Sequence, residues 1–113
     1  MKIQNLNDGF VNVYRTKEKK NDFNAPVNAK TEEDMDYIVE LAYEEMSKRD
    51  QDYQFAESVG RKLSLKIKTK LFEIDKSMKV IMEGTMYAII KTDTDKKKEL
   101  LYLYLEEERT IAK

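Results

Sequence analysis

Apolar and polar residues alternate along much of this chain, a spacing typical of β-strands that turn one face toward a core. The clearest example is KLSLKIKTKLFEI, residues 62–74, in which the aliphatic side chains fall on one face. The other face carries Lys66, Lys68 and Lys70. We predict a half-buried strand with its lysines on the outside of the domain.

Two further segments have the same alternation, GFVNVYRT (residues 9–16) and ELLYLYLEEE (residues 99–108). In the first, apolar groups occupy both faces, so the pattern is weak. In the second, the leucines share one face and the tyrosines share the other. Both segments are predicted to be strands, and we expect the second to end near Glu106.

The segment KVIMEGTMYAII, residues 79–90, contains two short runs of β-branched and aromatic residues around Gly84 and Thr85. Glycine at the first central position of a two-residue turn is typical of the type II′ hairpin. KVIME and MYAIIK are therefore predicted to pair antiparallel. The polar stretch TDTDKKK, residues 92–98, is then predicted to be the turn before the last strand.

The segment DYIVELAYEEM, residues 36–46, suits either a helix or a strand, and we favour a strand because β-branched and aromatic residues crowd its first half. The next stretch, SKRDQDYQFAESVG, is predicted to form a short helix. Ser47 or Asp50 is suited to its N-terminal cap, and Gly60 to the left-handed residue that follows many helices.

Between the first two strands lies a segment with no sustained period, residues 17–35, which contains the only proline of the chain. Its composition predicts a long flexible loop. One interpretation is a disordered surface excursion. The other is a segment that becomes ordered on contact with a neighbouring subunit, for which Phe23, Pro26 and Val27 are the candidate anchors.

These elements predict a single domain spanning residues 1–113, of mainly β class: a small antiparallel β-barrel with one short helix and a long flexible loop. Aliphatic side chains from every strand would fill so narrow a barrel. We therefore expect a packed interior without a substrate pocket.

The composition narrows the function classes. The chain contains neither cysteine nor histidine, which removes the commonest nucleophile, general base and zinc ligands. Asp93 and Asp95 lack the glycine and distal glutamate of a calcium loop. We expect no enzyme activity, no cofactor and no metal. The chain has no secretory signal pattern and no long apolar run, so we expect a soluble intracellular protein without membrane contact.

Charge is abundant but balanced, because 21 Lys and Arg face 22 Asp and Glu. The chain as a whole is therefore not the cationic protein expected to wrap DNA. With 38% charged residues, much of its surface must be charged. Such a surface either stays in solvent or meets a complementary partner.

The order of the predicted elements is a strand, a short helix, a basic alternating strand, a hairpin around a glycine and a closing E-L strand. The residues in these places are Tyr53, Lys66, Lys68, Val80, Gly84, Tyr87, Ile89, Glu99, Leu100 and Leu101. This succession, over about residues 36–107, resembles the phage head-tail joining family, the head closure or stopper proteins of siphovirus connectors. The chain departs from that family in having no tryptophan, and in having Met82 where the family has an aromatic residue before the glycine.

The resemblance implies a structural virion protein that assembles as a homo-oligomeric ring, expected to be twelvefold, at the head-tail junction of a phage or prophage. Its partners would be the portal-adaptor proteins, the tail-joining proteins and the double-stranded DNA that passes through the channel. The ring would help to close that channel. The protein would be made in the bacterial host cytoplasm and would end in the virion.

Residues 47–61 then have two interpretations, which are compatible. The plain one is that a short helix packs over an open barrel end. The functional one, which rests on the resemblance and on the charges of the segment, is a channel-facing stopper element. Its candidate residues are Lys48, Arg49, Asp50, Asp52, Tyr53, Glu57 and Arg61.

The lysine row of Lys66, Lys68 and Lys70 also leaves alternatives open. A solvated face is the plain reading, and subunit or DNA contacts are the functional ones. If Tyr87, Tyr102 or Tyr104 stacked bases beside these lysines, the chain would be a small β-barrel that binds single-stranded nucleic acid. A third and weaker hypothesis is a metal-dependent hydrolase that uses aspartate and glutamate.

Overall fold

The computed structural model describes residues 6–16 and 35–110. Over these ranges the chain forms six strands and one helix. In chain order they are β1 (Gly9–Thr16), β2 (Met35–Glu45), α1 (Asp50–Ser58), β3 (Leu65–Lys70), β4 (Met78–Met82), β5 (Thr85–Asp95) and β6 (Leu100–Thr110). The predicted anchors Phe23, Pro26 and Val27 lie outside the described residues.

All six strands pair antiparallel in the order β1-β2-β3-β6-β5-β4, and β4 pairs back to β1, so the sheet closes into a barrel. Val13 shows the closure directly, because it lies opposite Val39 of β2 on one side and Val80 of β4 on the other. The predicted fold class, a small antiparallel β-barrel with one short helix, is confirmed. Closure gives every described strand a neighbour on both sides, although β2 pairs with β3 only over Tyr43–Glu45.

The barrel interior is filled by side chains from all six strands. Leu103 pairs with Ile67 of β3, and neither side chain is exposed. The buried members of this core are Val11, Val13, Leu41, Tyr43, Ile67, Ile74, Met78, Val80, Met82, Ile89, Leu101, Leu103 and Leu105. Their alternation along each strand is the pattern from which the strands were predicted.

Several element boundaries differ from the prediction. The last strand continues past Glu106 to Thr110, because β5 offers it partners as far as Thr85. Much of the predicted turn at residues 92–98 belongs to β5, which pairs with β6 up to Asp95. The basic strand is shorter than residues 62–74, since β3 spans only Leu65–Lys70.

The hairpin between β4 and β5 forms as predicted, but its turn is one residue earlier. Met82 pairs with Thr85, so the two turn residues are Glu83 and Gly84. Both have positive φ, 50° and 78°, which is the type I′ conformation and not type II′. The error arose because glycine suits either turn, and the sequence gives no sign that Glu83 adopts a left-handed conformation.

Replacing Gly84 with alanine is expected to lower the free energy of unfolding by about 1 kcal/mol, since a side chain at positive φ is strained. The space around Gly84 is open, so the loss would be conformational and not steric. Gly84→Asn is the matched control, because asparagine tolerates this region, and it should be closer to the parent. Urea unfolding measures both variants; equal losses would contradict the type I′ assignment.

Candidate functional site

The outer wall of the barrel at β3, β6 and β5 carries a group of polar and aromatic side chains. Lys66 of β3 lies opposite Tyr104 of β6, on the face away from the leucine core. On β5 a bulge leaves Ile90 without a partner between Ile89 and Lys91. The extra residue turns Lys91 and Asp93 toward the same outer face as Tyr104. The bulge therefore assembles this group of side chains.

Helix α1 covers this wall, and its placement corrects the expectation that it lies over a barrel end. Ala56 is buried against Leu63, Ile90 and Tyr104, and Phe55 packs at the margin of the same cluster. Ile90 lies on the outer face of β5, and Tyr104 lies on the outer face of β6. The helix therefore lies on the outside of the barrel wall.

The start of the helix places a carboxylate over the same wall. Its N-terminal cap is Arg49 and not the predicted Ser47 or Asp50. Asp52, three residues further, accepts a hydrogen bond from the Arg49 backbone N–H at 2.9 Å, which is half of a capping box. This geometry turns the Asp52 side chain back and down against the sheet, where it is only 4% exposed.

Asp52 meets Lys66 there, and the two form a buried ion pair. The Lys66 ammonium lies 3.2 Å from Oδ2 of Asp52 and 5.0 Å from the centre of the Tyr104 ring. Lys66 is 6% exposed, so the prediction of a solvated lysine at this position is wrong. The alternation placed Lys66 correctly on the outer face, but α1 covers that part of the face.

Around this pair lies a second set of contacts, and together they form what we call the helix-sheet network: Asp52, Phe55, Lys66, Lys91, Asp93 and Tyr104. The Lys91 ammonium is 4.5 Å from the centre of the Phe55 ring and 4.6 Å from that of Tyr104. The Tyr104 hydroxyl donates to Asp93 at 2.9 Å. Burial and this hydrogen bond raise the pKa of Tyr104, so its hydroxyl stays neutral and remains a donor.

The carboxyl of Asp52 stays ionised despite its burial. Burial by itself opposes ionisation, but hydrogen bonds from Arg49 and Lys66 outweigh it and hold the pKa of Asp52 below its usual value. The pKa of Glu106 is also lowered, by the side chain of Arg61 and then by the backbone N–H of Lys62. Both carboxylates tie the segment that contains α1 to the barrel.

These two lowered pKa values predict that the protein loses stability in acid. A carboxylate whose pKa is lowered by folding stabilises the fold fully above its unfolded-chain pKa, near 4, and loses that contribution as the pH falls through the folded value. The urea midpoint should therefore fall from about pH 4 downward. Asp52→Asn should reduce this acid-induced loss, because one of the carboxylates with a lowered pKa is gone. An equal acid-induced loss in parent and variant would contradict the assignment for Asp52.

The seven predicted channel-facing residues divide into two groups. Four of them hold contacts within the chain, Lys48 to the Ser64 carbonyl, Arg49 to Asp52, Asp52 to Lys66 and Arg61 to Glu106. The other three, Asp50, Tyr53 and Glu57, are exposed on the helix, and the Tyr53 ring also lies 5.9 Å from the Lys48 ammonium. The first group therefore attaches residues 47–61 to the barrel, and the second group faces solvent.

The predicted row of lysines also divides. Lys66 is buried, as described above, and Lys68 is half-buried with its ammonium 3.6 Å from Glu44. Lys70, at the end of β3, is exposed. Of the three lysines proposed for subunit or DNA contacts, Lys70 is thus the one fully presented to solvent.

An open groove of about 490 Å³ lies beside the helix-sheet network, between the start of α1 and the outer faces of β5 and β6. Its lining includes Arg49, Lys66, Asp93 and Tyr104, whose polar atoms already have partners within the chain: Arg49 and Lys66 contact Asp52, and Tyr104 contacts Asp93. Across residues 6–16 and 35–110, no three metal-ligating side chains are grouped as a metal site requires. The one described helix is too short and too polar to cross a membrane.

A second surface, which the sequence reasoning missed, lies at the barrel end that holds the β4–β5 hairpin. We call it the acidic mouth, and it consists of Asp8, Glu45, Glu83, Glu107, Tyr43 and Tyr87. Glu45 is two residues beyond Tyr43 on β2, and Glu107 lies opposite Tyr87. The inward-facing positions of β2 and β6 therefore end in carboxylates. The signal was present, because Leu101, Leu103 and Leu105 continue at the same spacing into Glu107.

The fold and these two surfaces define the chain as a small closed antiparallel β-barrel with one helix fixed to its outer wall. Neither the known protein families nor the curated proteins contain a match to this chain.

Proposed function

We propose that this chain is a structural subunit of the head-tail connector of a tailed phage, forming a ring that joins the portal-adaptor stack to the tail and helps to close the DNA channel. The observation that carries the proposal is the order of the elements. A strand, a short helix, a basic strand, a glycine hairpin and a closing strand follow one another as in the head closure proteins, and all of the strands fold into one closed barrel.

The closed sheet also suits assembly through side chains. With β1 and β4 paired, every described strand has a neighbour on both sides, which limits the strand edge that a partner strand could extend. Contacts with other proteins would then use the helix, the turns and the barrel ends. Because the Asp52–Lys66 ion pair and the Arg61–Glu106 ion pair hold the helical segment, it would present Asp50, Tyr53 and Glu57 in a fixed orientation.

Binding of single-stranded nucleic acid has less support from the same geometry. A stacking site needs exposed aromatic rings and unpaired cations. Tyr104 is 3% exposed, Tyr87 packs against the barrel core, and Lys66 and Lys68 each face a carboxylate. Titration with single-stranded DNA at low and high salt separates the hypotheses, because micromolar binding with a steep salt dependence would favour nucleic-acid binding.

The connector proposal is tested by capture on an immobilised portal-adaptor complex from a phage that encodes this chain. The parent chain should bind. Tyr53→Ala combined with Glu57→Lys should weaken capture if the exposed side of α1 faces the complex. Lys76→Ala is the control, because Lys76 is an exposed residue between β3 and β4 and does not belong to the helix. Failure of the correctly folded parent to bind the complex would contradict the proposal.

A further inference from the structure

Strand β2 continues past the strand that pairs with it on one side. It pairs with β1 over Met35–Tyr43, but with β3 only over Tyr43–Glu45. β3 ends at Lys70, and among the described residues no backbone hydrogen bond joins residues 71–77 to β2. Within the described part of the chain, residues 37–41 therefore pair with β1 alone. We call their other side the β2 edge.

The backbone groups of Glu40 point out of the β2 edge. Neighbouring residues of a strand direct their N–H and C=O groups to opposite sides. The Met46 N–H donates to the Lys66 carbonyl next to β2, and the Glu45 N–H donates to Asp8, which directly precedes β1. Glu40 is an even number of residues from Met46, with no bulge between them, so its N–H and C=O face away from β1.

Strand β3 shows what a neighbouring strand supplies to the outer face of β2. Lys68 lies directly opposite Glu44, and its ammonium is 3.6 Å from that carboxylate. Glu40 is on the same outer face and is exposed, but β3 has ended before it reaches this position. Among the described residues, no Lys or Arg lies within ion-pair distance of Glu40. An added strand with a basic residue opposite Glu40 would repeat the Glu44–Lys68 pair.

The residues on either side of Glu40 indicate what should alternate with the basic residues of such a strand. Val39 and Leu41 belong to the inner face and contact the barrel core. An apolar residue of an added strand would point to the same inner side. A second copy of β2 does not fit, because two such edges would bring their Glu40 carboxylates close together. The matching segment therefore belongs to another protein.

We propose that the β2 edge accepts an extended segment of another protein as an added strand, in which basic and apolar residues alternate and a Lys or Arg lies opposite Glu40. Strand addition of this kind takes its affinity from main-chain hydrogen bonds and its specificity from alternate side chains. Tyr37, which is 57% exposed, adds apolar surface at one end of the edge. The inference goes beyond the connector proposal, because an added strand requires no ring.

The test adds to the full chain a capped eight-residue peptide that alternates lysine with valine, and follows the backbone amide signals by NMR. The peptide should shift the signals of residues 37–41 most. Glu40→Ala should weaken binding about two- to fivefold, the effect of one cross-strand charge pair. Glu40→Pro removes the outward N–H but leaves the β1 ladder intact, and should weaken binding by more than about tenfold. Glu57→Ala, on the helix, is the matched control and should bind like the parent.

Two N-methylated peptides separate strand addition from simple charge attraction. In the expected pairing a lysine lies opposite Glu40, so the lysine N–H groups face β2 and the valine N–H groups face away. N-methylation of the lysines should therefore abolish binding, whereas N-methylation of the valines should leave it nearly unchanged. Equal binding of the two peptides, no binding of the unmodified peptide, or shifts centred elsewhere on the barrel would overturn the inference.

Hydrogen exchange of the parent chain alone needs no variant. The Glu40 amide should exchange much faster than that of Leu41, whose backbone groups face β1. A Glu40 amide that is protected at every concentration would mean that the chain itself covers the edge, and would overturn the inference. Protection that appears only as the chain concentration rises would identify a second copy as the occupant, which also contradicts it. Capture on the portal-adaptor complex is measured separately, so either proposal can fail while the other stands.

Discussion

Replacing Asp52 with alanine is expected to lower the free energy of unfolding by about 3 kcal/mol. The substitution leaves the Lys66 ammonium buried, 6% exposed, without its carboxylate partner. It also removes the capping interaction with the Arg49 backbone, which contributes about 1 kcal/mol of that total. Chemical denaturation followed by circular dichroism measures the loss.

Two further variants identify the cause. Asp50→Ala removes an exposed carboxylate from the same helical turn and should cost less than about 1 kcal/mol. Asp52→Asn combined with Lys66→Met should recover part of the loss, because no uncompensated charge is then buried. If Asp52→Ala cost no more than Asp50→Ala, the buried ion pair would not hold the helix to the wall.

Replacing Leu103 with alanine is expected to cost about 3 kcal/mol or more. Leu103 has no exposed surface and lies at the centre of the β3–β6 ladder, opposite Ile67. Its truncation removes buried methyl groups and leaves a cavity that neighbouring strands of a closed sheet cannot collapse to fill. The free energy of unfolding from urea denaturation checks the prediction.

Leu71→Ala is the matched control for this substitution. Leu71 is 38% exposed beyond the end of β3, so the same chemical change should cost less than about 1.5 kcal/mol there. A filled barrel requires a clear difference between the two variants. Equal losses at Leu103 and Leu71 would mean that the interior is not close-packed.

The fold could be predicted from the sequence, because apolar and polar residues alternate wherever only one face of a strand is buried. The leucines of β6 and the aliphatic residues of β3 face the core as their spacing predicted. Closure between β1 and β4 carries no such local signal, since it depends on strands separated by most of the chain. The bulge at Ile90 was also unpredicted, because an extra apolar residue within an apolar run gives no distinct signal in the sequence.

The site was less predictable than the fold. The sequence identified the charges of residues 47–61 but not their partners, since Asp52 and Lys66 meet only once α1 has packed on the sheet. For the same reason Lys66 was expected in solvent. The acidic mouth was not predicted, because the sequence alone does not show that Glu45 and Glu107 lie at the same end of the barrel. Strand register, which places Glu45 two residues beyond Tyr43 and Glu107 opposite Tyr87 on the inward face, is what distinguishes them.

In the connector proposal, the helix-sheet network and the acidic mouth are two separate surfaces of the barrel. The helix-sheet network fixes the segment at residues 47–61, so its exposed residues Asp50, Tyr53 and Glu57 keep a defined position on the barrel surface. The acidic mouth is a second, separate surface, at the barrel end that holds the β4–β5 hairpin. The closed sheet supports both surfaces rigidly.

Electron microscopy of the chain mixed with the portal-adaptor complex tests the proposed function most directly. The account predicts an added ring of barrel-sized subunits coaxial with the adaptor, with the 47–61 segment of each subunit placed against neighbouring protein or the central channel. An adaptor that remains bare under conditions in which the chain is folded, or a chain found bound along single-stranded DNA, would contradict it.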